Sequence, residues 1–487
     1  MKLLGTSVVA YLAFVTVLWH VDFARRDLYW YLGATALFAL AVLALRRAAR
    51  RGLSGRATVL LVLGIGATLQ LIALTRSPLT SDDAFRYAWD ARVQFAGFDP
   101  YRYAPVAHPL ATLRTPDAFG PSSPCTYPIE RSCTAINRPT VHTIYPPVAQ
   151  AAFGLGRLLS LHGHDGLLGY QVLAAIGSVG VAVLLARRAS SRRDPLWPVA
   201  LWAWSPVVVS EFGNNAHIDW LAVLPVLSAM SAGAVKRDAV AGVLVGLAVA
   251  TKLYPVVVLP SLMRRRPWLV SLVVAGTVAI VYLPHVLAVG PRVLGYLPGY
   301  LSEEGYSSGT RLQLLGAVLP RPVDLVAGAI ILAAAALWAW RRSDPSTPEQ
   351  TATVIVGITL LVTTPAYGWY SAILIALAVL SKRYSWLILA AAGSLVYLIH
   401  NNASSLRWTG PVIYATGGAI SIVSDVILQS RHARGLRHSS SIEPDRPTDM
   451  QAEPDRVTLG VNSRCRDVQA DSTISGVRPT GEDQSGR

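Results

Sequence analysis

The run Ser81-Asp82-Asp83-Ala84-Phe85-Arg86-Tyr87-Ala88-Trp89-Asp90 sets three carboxylates, an arginine and three aromatic rings just past an apolar stretch, Ala57 to Leu74. That stretch is long enough to cross a bilayer. A carboxylate where a membrane helix meets water is costly to desolvate, so its presence points to function. Asp83 or Asp82 could take a proton from a hydroxyl. A second carboxylate, Asp82 or Asp90, could orient a substrate, hold a divalent cation, or raise the pKa of its neighbour. The residues leave these three roles open. Arg86 and Arg92 carry forks that match phosphate oxygens.

Further polar groups follow at the ends of later apolar runs. Tyr101 closes Gly97-Phe98-Asp99-Pro100-Tyr101, and Tyr145 opens Tyr145-Pro146-Pro147. Asn215, His217 and Asp219 share the turn Gly213 to Asp219. Arg311 lies in a segment with Glu303 and Glu304, and Trp369 and Tyr370 follow Pro365. Carboxylates and amides bond hydroxyls, and aromatic faces cover sugar rings, so this collection reads as a sugar site. Lys252 could add positive charge for a phosphate.

These groups need a scaffold, and composition supplies its class. The chain has 487 residues, 52% of them hydrophobic and 15% charged, with mean hydropathy +0.42. Apolar runs of about 17 to 22 residues match the length a helix needs to span hydrocarbon. The expected fold is an all-α polytopic membrane protein with about 12 transmembrane helices. The formal charge of +15 sits in short Arg and Lys clusters between apolar runs: 46–51, 187–193, 236–237, 264–266, 341–342, 382–383 and 431–437. That is the positive-inside pattern and argues against nucleic acid as a partner. The first run, from Leu3 to Trp19, reads as a signal anchor rather than a cleaved peptide.

With the clusters in the cytoplasm, spans fall near 3–20, 28–46, 57–75, 166–186, 196–212, 219–235, 267–288, 321–340, 351–364, 367–381, 384–400 and 410–429. Residues 1–430 then form the membrane domain, and 76–164 a large extracytoplasmic loop region with interfacial helices. Ile144 to Leu161 would lie at the outer surface. Ala239 to Met263 has basic clusters at both ends and Tyr254-Pro255 inside it, so two half-helices are expected there. This threading sets Lys252 toward the cytoplasm. Residues 431–487 are polar and read as a disordered cytoplasmic tail. Cys125 and Cys133 would face an oxidising compartment, where they could pair. No Cys/His spacing resembles a zinc site, and no metal ligand set is assigned.

Taken together, Asp82 to Asp90, Gly97 to Tyr101, Ile144 to Pro147, Gly213 to Asp219 and Thr251 to Pro255 resemble the GT-C glycosyltransferases. Among these the chain is most similar to actinobacterial polyprenol-phosphate-mannose-dependent mannosyltransferases and the related bacterial glycosyltransferase family 87. The resemblance covers about residues 57–400. It implies a GT-C-like bundle in the plasma (inner) membrane, with the active site on the extracytoplasmic side. It also implies an inverting transfer of a sugar, mannose first, from a polyprenyl-phosphate donor to a cell-envelope glycolipid or glycan. An Asp of the first outer loop would be the base; Asp83 matches that position best, with Asp82 next. The resemblance makes no metal obligatory and calls for no certain cofactor. Arg86, Tyr87, Asp90, Arg92, Tyr101, Tyr145, Asn215, His217, Asp219, Arg311, Trp369 and Tyr370 are the substrate-binding candidates. The alternative expectation is a transporter or flippase of lipid-linked sugars, which would carry charges near mid-bilayer and inverted repeats.

Overall fold

A computed structural model describes residues 1–21, 26–115, 118–119, 126–129, 132–160, 166–305, 311–402 and 409–440. Among these residues the architecture is all-helical apart from one hairpin pairing Tyr127–Ile129 with Ser132–Thr134. Contact density divides the chain into Met1–His432 and Ala433–Arg487. Of the second unit only the helical residues up to Ser440 are described.

Three long apolar helices open the chain: α1 (Lys2–His20), α2 (Arg26–Arg50) and α3 (Gly55–Ala73). Ser54 caps α3 by accepting a hydrogen bond from the Ala57 amide, which satisfies one of the orphan donors of the first turn. The extracytoplasmic candidate region then carries α4 (Asp83–Phe95) and α5 (Pro147–Leu159), each of 13 residues. At 1.5 Å per residue each spans about 20 Å, too short to cross hydrocarbon. The next long helix, α6, runs Leu168–Ser191. Seven helices among the described residues are long and apolar enough to span a membrane, and five shorter apolar helices accompany them.

Two segments depart from regular spans. The stretch expected as one crossing over 196–212 is broken into Trp197–Val199, Ala200–Ala203, Pro206–Val208 and a π-helical Val209–Asn214. Pro206 supplies no amide, and Ser205 before it leaves the helical region (ψ 128°). Irregular backbone survives at such a place only when buried in protein. Here Trp202 Nε1 donates to the Ser178 carbonyl and Trp204 Nε1 to the Val62 carbonyl, with Trp202 and Trp204 fully buried. The second segment is the expected pair of half-helices, Asp238–Val249 and a 3-10 turn set Tyr254–Leu262.

Chain direction gives the bundle two unlike ends. α2, α6 and the helices Trp220–Ala234 and Val323–Arg342 run into Arg or Lys clusters, and the helices Pro267–Val289 and Leu387–Asn402 leave them. Ion pairs tie those clusters together: Arg192 to Glu349, Lys382 to Asp194, Arg265 to Asp238 and Arg383 to Asp425. The last helix, Thr409–Ser440, continues beyond the expected end of its span at 429. Residues 441–487, most of the expected tail, lie outside the described residues. Cys133 is disulfide-bonded, and Cys125 lies outside the described residues.

Candidate active site at the end remote from the basic clusters

The opposite helix ends enclose a cavity of about 940 Å³. Into it come Asp27 from the start of α2, Leu79 to Asp83 after α3, Tyr145-Pro146 before α5, Lys252 and Tyr254 between the half-helices, and Tyr367 to Tyr370. Its lining also includes apolar groups, among them Leu253, Val257, Val356, Leu360 and Ile373.

Asp83 is the first residue of α4, where the positive end of the helix dipole favours a carboxylate. Its Oδ1 accepts a 2.6 Å hydrogen bond from Asn137 Nδ2, and its Oδ2 a longer one, 3.5 Å, from the Tyr87 hydroxyl. The segment before it is held rigidly. Asn214 Oδ1 accepts from the Leu79 amide, while Asn214 Nδ2 donates to the carbonyls of Ala73, Arg76 and Ser77. Asn215 Oδ1 accepts from the Thr80 amide, and its Nδ2 donates to Thr80 Oγ1 at 2.6 Å. Asp82 lies beside Asp83 on the cavity wall, with the Tyr127 hydroxyl 3.5 Å from its Oδ2. Burial, reinforced by the neighbouring Asp83 charge, pushes the Asp82 carboxyl above the usual carboxylate range. Burial and the same two carboxylates push the Tyr127 hydroxyl up to about 12.

Among the described residues three cations reach the cavity: Arg138, Lys252 and Arg311. Arg138 pairs with Glu303 at 2.7 Å and Glu304 at 3.5 Å, and Arg311 with Glu304 at 2.9 Å. Lys252 Nζ lies 2.6 Å from Asp219 Oδ2, and the Tyr254 hydroxyl donates to Asp219 Oδ1 at 3.1 Å. The position of Lys252 corrects the sequence threading. The 12 residues of the first half-helix carry the chain about 18 Å from the basic cluster at its foot, so the turn holding Lys252 arrives at the far end of the bundle.

The structure divides the sequence candidates into two groups. Asp82, Asp83, Tyr145, Arg311, Trp369 and Tyr370 line the cavity. Arg86, Tyr87, Asp90, Arg92, Tyr101, Asn215, His217 and Asp219 do not; they stand behind it. Asp90 is buried, with Arg86 Nε 3.0 Å from Oδ1, and Thr143 and Gln150 donating to Oδ2 at 2.6 and 3.0 Å. That leaves it no room to meet a substrate or cation. Arg86 also donates to the carbonyls of Asn137, Arg138 and Val141, fixing the loop that supplies Asn137 to Asp83. Arg92 donates to the Leu113 carbonyl at 2.7 Å and to Thr115 Oγ1. The Tyr101 hydroxyl donates to the Tyr145 carbonyl at 2.6 Å. Tyr87 stacks on Phe153 with centroids 4.3 Å apart. Trp369 reaches the cavity, yet its faces are covered by His217 at 3.9 Å and Tyr367 at 4.6 Å.

Sequence reasoning missed Asn137 and Arg138 in a loop, Tyr127 in a three-residue strand and Tyr254 at a helix break, none of which carries a periodic signal. Among the described residues no three His, Cys, Asp or Glu side chains group as a metal site requires. Carboxylates, three cations and apolar walls thus line one cavity among the described residues.

The family model for Glycosyltransferase family 87 matches residues 143–365. This range includes Tyr145, Asn215 to Asp219, Lys252 and Arg311, and leaves out Asp82 and Asp83. No curated protein and no solved structure matches the chain. With the helical bundle, the match supports a membrane glycosyltransferase and lends nothing to the transporter reading.

Proposed function

We propose that the chain is an inverting glycosyltransferase that moves a sugar, mannose first among candidates, from a polyprenyl phosphate to an envelope glycolipid or glycan. The observation that carries this reading is the meeting of Asp83 with Arg138, Lys252 and Arg311 in one cavity that also has apolar walls. A lipid monophosphate is already a good leaving group and needs positive charge more than a proton. The three cations would meet its oxygens, an arginine fork doing so in two contacts. The apolar side chains Val257, Val356 and Leu360 would receive the first isoprene units.

The acceptor hydroxyl is a poor nucleophile and needs a base. Its oxygen attacks the anomeric carbon on the face opposite the phosphate, and its proton passes to Asp83. The bond from that carbon to the phosphate oxygen breaks, and the electron pair stays on the phosphate. A single displacement inverts the anomeric centre. Asn137 holds one Asp83 oxygen at 2.6 Å; the other, met only by the longer 3.5 Å contact from the Tyr87 hydroxyl, would take the acceptor's proton.

Membranes carrying the protein, supplied with radiolabelled polyprenyl-phosphomannose and an envelope glycolipid extract, test this reading. Asp83→Asn should lower transfer by roughly 10²- to 10⁴-fold, the span typical of a general base. Full activity in that variant removes Asp83 from the role. Transfer from polyprenyl-phosphate arabinose or glucose instead would keep the class and change the sugar.

A further inference from the structure

Behind the cavity lies a histidine that the displacement itself does not use. The His217 ring is fully buried and stacks on Trp369. Its Nδ1 is 3.6 Å from Asp83 Oδ2, and its Nε2 is 3.3 Å from Glu211 Oε2. Among the described residues neither nitrogen has an aligned hydrogen bond. A buried ring with two idle polar atoms is unfavourable unless the arrangement is used. Catalytic hydrogen bonds are often long in an empty site and tighten around substrate.

The chain spends unusual backbone on this juxtaposition. Glu211 belongs to the π-helical turn Val209–Asn214, a wide turn that often marks functional sites. The His217 amide donates to the Glu211 carbonyl at 2.9 Å, and Ala216 between them takes a left-handed φ of 59°. Asn215 Nδ2 lies 3.3 Å from the same Glu211 oxygen that faces the ring. Gly368 lets Trp369 approach: a Cβ there would come 3.1 Å from Glu211 Oε1.

We propose that His217 and Glu211 are positioning residues for Asp83: the imidazole turns Nδ1–H toward Asp83 Oδ2 while Nε2 accepts a hydrogen bond from Glu211 in its carboxylic acid form. This rests on Asp83 being the base. A neutral imidazole donates through one nitrogen and accepts through the other. Burial and the nearby Lys252 charge keep this ring, in the turn between two spans, well below the ordinary histidine range and hence neutral. A donor on Glu211 therefore fixes the tautomer that supports the Asp83 carboxylate, together with Asn137 on its other oxygen. No proton leaves the unit; the acceptor's proton stops at Asp83.

The test uses the full chain in lipid nanodiscs with polyprenyl-phosphomannose as donor and the glycolipid extract as acceptor. His217→Phe keeps a ring on Trp369 and removes both nitrogens; kcat should fall by roughly 10²-fold, as misplacing a reacting group does, with donor KM nearly unchanged. Glu211→Gln still donates to Nε2 and should keep most of the wild-type kcat, whereas Glu211→Leu should match His217→Phe. Wild-type kcat in His217→Phe overturns the proposal, and so does a Glu211→Gln variant as weak as Glu211→Leu. Independently of activity, nitrogen-15 spectra of labelled histidine, with His217 identified by its loss in His217→Phe, should show Nδ1 protonated. The opposite tautomer or an imidazolium overturns the assignment. A wild type inactive with every polyprenyl-phosphate sugar sinks the transfer reading, while the spectrum still decides the tautomer.

Discussion

Lys252 and Asp219 form an ion pair bordering the cavity, 2.6 Å apart, with the aspartate fully buried. Lys252→Met would leave Asp219 with the Tyr254 hydroxyl alone. An uncompensated buried charge costs about 3–5 kcal/mol, so the melting temperature in detergent should fall. Adding Asp219→Asn should restore most of it, because both charges are then gone. Transfer should stay low in single and double variants if the lysine also meets the donor phosphate; recovered activity in the double variant would confine Lys252 to structure. Asp82 gives a second residue-level outcome. Its carboxyl is raised in the folded protein by burial and by Asp83. Such a group favours folding below its unfolded pKa, and the benefit is lost as pH climbs through the folded value. At neutral pH the ionised Asp82 therefore opposes folding. Asp82→Asn should melt higher than wild type at pH 7, with the gap closing as pH falls toward the ordinary carboxylate range. A gap that is the same at both pH values would contradict the shift.

At the scale of elements, α4 works as a staple as well as a perch for Asp83. Arg86 and Asp90, one turn apart and both buried, hold three carbonyls of the loop over 137–141 on one side and Thr143 and Gln150 on the other. Asp90→Asn keeps the shape and deletes the charge facing Arg86, so a loss near 3 kcal/mol is expected, about the lower end for a broken buried pair. Activity should fall with it, since the loop delivers Asn137 to Asp83; unchanged melting would refute the staple. The same helix shows how much was legible. The acidic run after α3 singled out Asp83 as a candidate, but nothing in its spacing foretold that Asp83 opens a helix. The role of Asp90 was not legible: Arg86 stands one turn away, but the groups that fill its other oxygen, Thr143 and Gln150, lie 53 and 60 residues along the chain. A carboxylate destined for a substrate and one destined for a buried arginine look alike until tertiary contacts are known. The half-helices were readable from Tyr254-Pro255 and their flanking charges. The depth of Lys252 was not, because charge clusters mark the feet of a re-entrant pair and say nothing of its apex.

Across the whole molecule the two ends differ in chemistry. Basic clusters cross-linked by Arg192–Glu349, Arg265–Asp238 and their neighbours occupy one end, and the cavity opens among the opposite helix ends. This polarity was legible because positive residues between apolar runs alternate with acidic and aromatic ones. The break inside 196–212 was not, because apolar composition alone does not separate a straight span from a buried irregular one. If the positive-inside rule governs insertion, the cavity faces away from the cytoplasm, where a lipid-borne sugar on the outer leaflet could reach it. Two introduced-cysteine reporters in a Cys465→Ser background, with Cys133 held in its disulfide, decide the matter. Thr112 is exposed on the short turn His108–Leu113 of the loop region after α3, and Arg51 is exposed between α2 and α3. A membrane-impermeant maleimide should label Thr112→Cys in intact cells and Arg51→Cys only after lysis. The reverse pattern would turn the cavity toward the cytoplasm, and the donor would then have to be drawn from the inner leaflet.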